Sequence, residues 1–349
     1  MAISDIYRRF SKDIGIDLGT ANTLIYVKDK GIVINEPSVV AVNTKTDQII
    51  AIGEEAKKML GKTPSHISAI RPLVGGVISD FEVTEKMLKY LIHKVHQDTF
   101  LKPRPKVIIS IHLGVTEVEK KAVEDATLHA GAREVFLIEE PMAAAIGARL
   151  PIQDASGNVV VDFGAGTTEI AVISLGGIVA WKSLKVAGNE LDKNIIQYAR
   201  DEFNLLLGEK TAEEVKKKIG SAITGEEDDL EATIRGRDLI SGLPKEVSIT
   251  GHQVTEAISR SLKVILDNIK ITIESTPPEL VSDIYLKGIV LTGGGSLLKN
   301  IDQLIHEQTQ IPVHIADDPL TCVARGTGLV LEDLESLKNV LISPSEINI

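Results

Sequence analysis

The sequence predicts an α/β protein with mixed sheets, organised as two related halves, and three observations carry that expectation. Short β-branched runs alternate with amphipathic helical runs through most of the 349 residues. Some successive strands are joined by tight turns and others by helices, so antiparallel and parallel pairings should share a sheet. One motif recurs. Residues 17–27 (DLGTANTLIYV) and 162–172 (DFGAGTTEIAV) place Asp, Gly, Thr and Val at identical offsets. So short a match fits either two unrelated hairpins or a duplicated domain.

In chain order, residues 13–19, 23–27, 31–42 and 49–53 read as strands from their β-branched content and turn punctuation. Residues 83–100 read as a helix with Met87, Leu88, Leu91, Ile92 and Val95 on one stripe. A strand at 106–111 precedes a helix over 116–131 that ends at Gly131. A strand at 134–140 leads into a helix with Pro141 in its first turn. Residues 192–242 read as mostly helical, and a second α/β stretch over 288–308 and 323–341 closes the chain.

Bulk properties exclude several classes. The length suffices for two cores. A net charge of −11 argues against a nucleic-acid surface, which needs a basic face. Cys322 is the only cysteine, so no disulfide forms within one chain, which fits a reducing compartment. No apolar run approaches the roughly 18–20 residues that span a bilayer, and the N-terminal residues lack a signal-peptide core.

The repeated motif suggests chemistry. A turn of small residues leaves backbone N–H groups to bind an anion, and glycine admits close approach. Two such turns facing each other would grip a polyphosphate. Asp17 and Asp162 would repel it unless a divalent cation intervened, and Mg²⁺ accepts one or two carboxylates together with phosphate oxygens. A dinucleotide fingerprint would instead have three spaced glycines opening a helix; here a strand-like run, 167–172, follows the glycines. A third element, TGGGS at 292–296, ends a strand, with a helix expected from about Ser296. Alone it is either a plain turn or a place where backbone meets a flat nucleoside.

Taken together, these elements resemble the actin, heat-shock chaperone and sugar kinase ATPase superfamily. The longer blocks IDLGTANTLIYVKDKGIVINEPSVVAV, RPLVGGVISDFEVTEKML, GVTEVEKKAV, LIEEPMAAAIGA, RGRDLISGLPKEV and DDPLTCVARGTG narrow the resemblance to the MreB/Mbl family of bacterial actins, over residues 11 to 337. The resemblance implies an actin-like ATPase fold: two pseudo-symmetric domains, each a mixed sheet flanked by helices, plus two smaller subdomains. Its implied boundaries are an amphipathic anchor at 1–12; subdomain IA at 13–33, 78–145 and 320–349; IB at 34–77; IIA at 146–182 and 248–319; and IIB at 183–247.

It also implies site roles. Gly19, Thr20, Ala21 and Asn22 form the first phosphate hairpin and Gly164, Ala165, Gly166 and Thr167 the second, with Asp17 and Asp162 reaching Mg²⁺ through water. Glu140 orients the attacking water with help from Thr167; Glu139, one residue away, competes for that role. A carboxylate at this helix start also suits simple capping, and the helix dipole favours its ionised form. Glu213 and Lys216, three apart on one helix face, contact adenine in this scheme, although without the resemblance a solvated ion pair is the preferred reading. Gly188, Gly293, Gly294, Gly295 and Ser296 complete the ATP pocket.

Three departures from the family pattern bear on hydrolysis. Ala165 replaces a glycine, which is costly only if φ is positive there. The turn AGNELD carries Ala187 and Asn189 in place of Gly and Asp. Ile111-His112-Leu113 stands where a Pro-Ser pair is usual; His112 as a catalytic base has no counterpart in the family.

The resemblance implies homopolymeric filaments of paired protofilaments as the output. They would lie on the inner face of the cytoplasmic membrane and work with cell-wall synthesis and rod-shape membrane proteins, without nucleic acid. Independently, Ile3, Ile6, Tyr7 and Phe10 recur at helical spacing beside Arg8, Arg9 and Lys12, the pattern of a short membrane-surface helix. Phe100 and Leu101, among prolines and basic residues, form a second apolar site. Packing onto the protein's own surface is the alternative for both. The competing functions are a nucleotide-dependent filament with little hydrolysis and a metabolic kinase of the same fold.

Overall fold

The computed structural model describes residues 12–97, 104–225 and 228–342. The chain separates into two compact units. The first runs as far as Asp154 and takes in Leu175–Ile178 and the part from Leu320 onward; the second comprises Ala155–Ser174 and Val179–Pro319. The chain thus leaves the first unit after Asp154, some residues beyond the boundary at 145 drawn from the resemblance.

The first unit contains β1 (Ile14–Leu18), β2 (Asn22–Val27), β3 (Gly31–Pro37), β4 (Val40–Asn43), β5 (Ile49–Ile52), β6 (Ile67–Ile70), β7 (Leu73–Val74), β8 (Val77–Ile78), β9 (Lys106–Ile111) and β10 (Glu134–Glu139). Its helices are α1 (Glu54–Met59), α2 (Phe81–Val95), α3 (Glu117–His129) and α4 (Glu140–Gly147). The main sheet has the order β10-β9-β1-β2-β3, and β4 sits between β5 and β6 in a smaller one. The stripe on α2 is buried as expected, and Asp80 caps the helix by accepting from the Val83 amide. That stripe packs with Ile14, Ile16, Ile25 and Ile109 in one core.

The second unit contains β11 (Asn158–Phe163), β12 (Thr168–Ser174), β13 (Gly177–Leu184, apart from its first two residues), β14 (Leu205–Leu206), β15 (Glu231–Asp238), β16 (Pro244–Thr250), β17 (Ile289–Thr292) and β18 (Val313–Ile315). Its helices are α5 (Gly188–Phe203), α6 (Glu209–Ile219), α7 (Gly251–Glu274), α8 (Pro278–Lys287) and α9 (Ile301–Thr309). The main sheet has the order β13-β12-β11-β17-β18. The chain re-enters the first unit through α10 (Cys322–Glu332).

The two main sheets are wired alike. β1 is antiparallel to β2 and parallel to β9, which is parallel to β10. β11 is antiparallel to β12 and parallel to β17, which is parallel to β18. The closing pairs of the two hairpins, Leu18↔Thr23 and Phe163↔Thr168, fall at the same motif positions. This equivalence decides between chance and duplication: the repeated motif is the central hairpin of a duplicated sheet.

Three expectations are corrected. Residues 31–42 form two strands, because Pro37 has no N–H to continue a ladder and the chain bends at Ser38 into another sheet. Within 192–242, only α5 and α6 are helical; β15 follows, with Ala232 and Ile234 buried between exposed neighbours, a period of two that marks a half-buried strand. After TGGG the backbone makes a 3₁₀ turn at Gly294–Leu297, and the α-helix begins only at Ile301.

Helices α4 and α10 cross on glycine. A Cβ at Gly326 would stand 2.6 Å from the carbonyl carbon of Ala143 and nearer still to its oxygen. A Cβ at Gly147 would stand 2.7 Å from the carbonyl carbon of Cys322 and likewise nearer its oxygen. This crossing fixes the helix whose first residue is Glu140.

Candidate functional site

In the first unit the site grows from the β1–β2 hairpin. A Cβ on Gly19 would lie 2.7 Å from the Asn22 carbonyl oxygen, so the tight turn requires glycine. Ser38, fully buried, locks the turn: its hydroxyl donates to the Gly19 carbonyl at 2.7 Å and its amide donates to the Ala21 carbonyl at 2.9 Å. The Ser38 proton is committed to Gly19, so Thr23 Oγ1, 2.8 Å from Ser38 Oγ, is the donor in that pair. Thr20 Oγ1 is buried and has no protein hydrogen-bond partner. An orphan hydroxyl at the lip of this glycine turn is chemically suited to a ligand oxygen.

Glu140 opens α4, with Pro141 behind it, and is 5% exposed. His112 Nδ1 lies 2.9 Å from Glu140 Oε2, and both side chains are buried. Sheet register brings them together. Ile111 ends β9 opposite Glu139 at the end of parallel β10, so the next residue on each chain emerges at the same edge. The β7–β8 turn, Gly75-Gly76, has positive φ at both positions, as a two-residue hairpin turn demands. A Cβ on Gly76 would fall 2.5 Å from His112 Cγ and closer to two other ring atoms, so the turn lies directly on the imidazole. His112 and Glu140 share with Leu18, Gly76 and Ser110 the lining of a cavity of about 40 Å³. Glu139, the rival candidate, is the half-buried N-cap of α4 and its side chain makes no capping bond.

In the second unit the equivalent hairpin closes with the Gly164 amide donating to the Thr167 carbonyl at 2.9 Å. Ala165 does not have left-handed backbone, so its methyl carries none of the penalty a positive φ would impose. Asp162 is buried, and its Oδ1 accepts from Thr292 Oγ1 at 2.7 Å. Parallel pairing again sets the contact, since Asp162 and Thr292 are register partners. Gly293, at φ 78°, packs with a would-be Cβ 2.9 Å from Asp162 Oδ1, and Gly295 lies against the Phe163 ring. The glycine triplet therefore seats the end of β17 on the hairpin. Ser296 donates to the Gly293 carbonyl at 2.6 Å.

The start of α5 also docks on this hairpin. Gly188 and Asn189 amides donate to the carbonyls of Gly164 and Ala165 at 3.2 and 2.8 Å. Lys216, on α6, donates to the Gly188 carbonyl at 2.7 Å and pairs with Asp192 at 2.8 Å. Burial pushes the Asp192 carboxyl above its ordinary range, and the Lys216 ammonium partly opposes that shift. Glu213 pairs with Lys217 rather than Lys216. So Asp162, Gly164–Thr167, Gly188, Lys216 and Gly293–Ser296 come together in one unit, whereas Glu213 turns to a different lysine.

Ser38 and Asp192 escaped the sequence reading, and Thr23 and Thr292 stood there only as members of motifs, without partners. Each is a small polar residue whose significance depends on a partner distant in the chain. The apolar positions Ile3, Ile6, Tyr7, Phe10, Phe100 and Leu101 lie outside the described residues. No helix among the described residues is long and apolar enough to cross a membrane.

Two sheets of one wiring, each with an acid and a glycine turn at its central hairpin, define an actin-like fold. Residues 11–339 match the family model described as MreB/Mbl protein. The chain is 52% identical over 330 residues to the cell shape-determining protein MreB of Escherichia coli (strain K12), covering 93% of this chain and 95% of that one. It is 49% identical over 328 residues to the cell shape-determining protein Mbl of Bacillus cereus, covering 94% and 98%. The crystal structure of MreB5 of Spiroplasma citri bound to ADP superposes with a TM-score of 0.89 at 40% identity, covering 95% of this chain and 98% of that one. The chain belongs to the MreB/Mbl family.

Proposed function

We propose that this protein binds and hydrolyses ATP and polymerises into membrane-associated filaments that organise cell-wall synthesis and cell shape. The observation that carries the reading is the pair of equivalent hairpins, each with an aspartate two residues before its first glycine. The hairpin amides would hold the phosphates, with the Thr20 hydroxyl as an added donor. Asp17 and Asp162 are hard oxygen donors suited to Mg²⁺, held directly or through water. When bound, that ion would neutralise phosphate charge. Gly188, Lys216 and Gly293–Ser296 would bound the nucleoside, with Glu213 at its edge. Glu140 would accept a hydrogen bond from the attacking water and orient it, with Thr167 holding the same water or the γ-phosphate. The backbone at Ala165 leaves the second hairpin unstrained, which supports retained hydrolysis.

Filament formation, as paired protofilaments, rests on family membership. So do attachment to the inner face of the cytoplasmic membrane and work with rod-shape and wall-synthesis proteins. The apolar N-terminal stretch and Phe100-Leu101 would supply the attachment, and polymerisation would multiply weak single anchors. Phosphate release by the wild type and by Glu140→Gln tests the hydrolysis, and equal rates would remove Glu140 from the mechanism. Electron microscopy with ATP, Mg²⁺ and anionic liposomes tests assembly, and absence of polymers refutes it. Deleting residues 1–10 is expected to weaken liposome pelleting; unchanged pelleting would sink the anchor.

A further inference from the structure

We infer that His112 is a positioning residue for hydrolysis: its Nδ1–H fixes the Glu140 carboxylate in the orientation that receives the attacking water. The inference rests on the assignment of Glu140 as the water-orienting group. A carboxylate that positions water must hold one rotamer, because angular freedom at the acceptor dissipates the gain from orientation. A glutamate has three side-chain torsions to restrain. Here one oxygen, Oε2, is bound at 2.9 Å by a donor that is itself buried. That leaves Oε1 to accept from water.

The imidazole is held in turn. Gly75 and Gly76 turn tightly over the ring, and no side chain fits at Gly76 without striking it. The ring also follows directly on β9, whose pairing with β10 sets the spacing between the two backbones. Glu140 is fixed at its own end by the start of α4. The pair lines a cavity of about 40 Å³, room for a water molecule. Ser110, in the same lining, has a buried hydroxyl without a protein partner. A neutral imidazole with its proton on Nδ1 and a charged imidazolium both donate from that nitrogen, so the contact does not require a charged histidine. A histidine placed only for packing would need no nitrogen at the carboxylate.

The test separates shape from donor. His112→Asn keeps an N–H donor close to the place of Nδ1, His112→Leu keeps a similar volume without it, and His112→Gln moves the donor one bond farther out. ATP turnover, nucleotide affinity and melting temperature are measured for each variant, alone and with Glu140→Gln. Loss of one hydrogen bond to a charged group is expected to lower kcat about tenfold in His112→Leu and His112→Gln. His112→Asn is expected to stay within about threefold of wild type, and nucleotide affinity within about twofold throughout. With Glu140→Gln present, the three His112 variants should turn over alike. Should His112→Leu fail to fold, the Asn and Gln pair carries the same contrast. The inference is overturned if Asn and Gln variants fall equally, or if neither falls while Glu140→Gln does. If Glu140→Gln hydrolyses at the wild-type rate, the assignment of Glu140 fails and the role of His112 falls with it.

Discussion

Substituting Gly326 with alanine pits helix propensity against packing. In a helix interior alanine is favoured over glycine by about 1 kcal/mol, so on propensity alone Gly326→Ala would stabilise α10. The new methyl would, however, stand 2.6 Å from the Ala143 carbonyl carbon and closer to its oxygen, where real Cβ contacts begin near 3.0 Å. The obstacle is backbone, so no rotamer change relieves it. Nor can α10 slide along α4 to escape, because Gly147 meets the Cys322 carbonyl just as closely from the other side. The helices must separate, giving up contact along the crossing. Overpacking costs typically 1–3 kcal/mol, and a backbone clash belongs at the upper end. The net expectation is a loss of about 1–2 kcal/mol after the propensity gain. Urea unfolding followed by far-ultraviolet circular dichroism measures it as a lower midpoint at similar slope. Because α4 begins with Glu140, ATP turnover should fall by more than the folded fraction does. A Gly326→Ala protein as stable as wild type, or more so, would refute the reasoning.

Three further outcomes are expected. The Tyr26 hydroxyl is pushed up to about 12, first by burial and then by the hydrogen bond it donates to Glu332. A phenol whose folded pKa is raised contributes stability that is complete below about pH 10 and is lost as pH rises toward 12. The stability gap between wild type and Tyr26→Phe should therefore close across that range, and a gap that widens would contradict the assignment. Thr292→Val removes the donor to buried Asp162 Oδ1; a loss of about 2 kcal/mol in stability is expected, with weaker nucleotide binding, and titration with a fluorescent ATP analogue reads the latter. Ala165→Gly, at a backbone position that needs no glycine, is expected to lower stability by up to about 1 kcal/mol through unfolded-state entropy. It should leave ATP turnover within about twofold; a large rise would mean that the methyl obstructs the turn after all.

Much of the fold was legible because its signals are local. The α2 stripe, the stop of α3 before Gly131, and Pro141 within the first turn of α4 can each be read from a few neighbouring residues. The misreading of 192–242 also has a local cause. Helical α5 and α6 precede a strand in which only Ala232 and Ile234 are buried, too few apolar positions to outweigh the surrounding charge. At the site, the two hairpins were legible because sequence neighbours build them and because the motif occurs twice.

By itself, the sequence determined the recurring hairpin motif, the acids that precede its glycines and the resemblance to a family of bacterial actins. Only the tertiary structure decided how those hairpins are braced. Thr292 reaches Asp162, and His112 reaches Glu140, because parallel strands from separate parts of the chain end side by side. It also decided that Ala165 is free of strain, since the sign of φ depends on how the whole turn closes. Local pattern records which residues prefer to turn or extend; register between distant strands follows from burying a shared core, and no short stretch of sequence carries it.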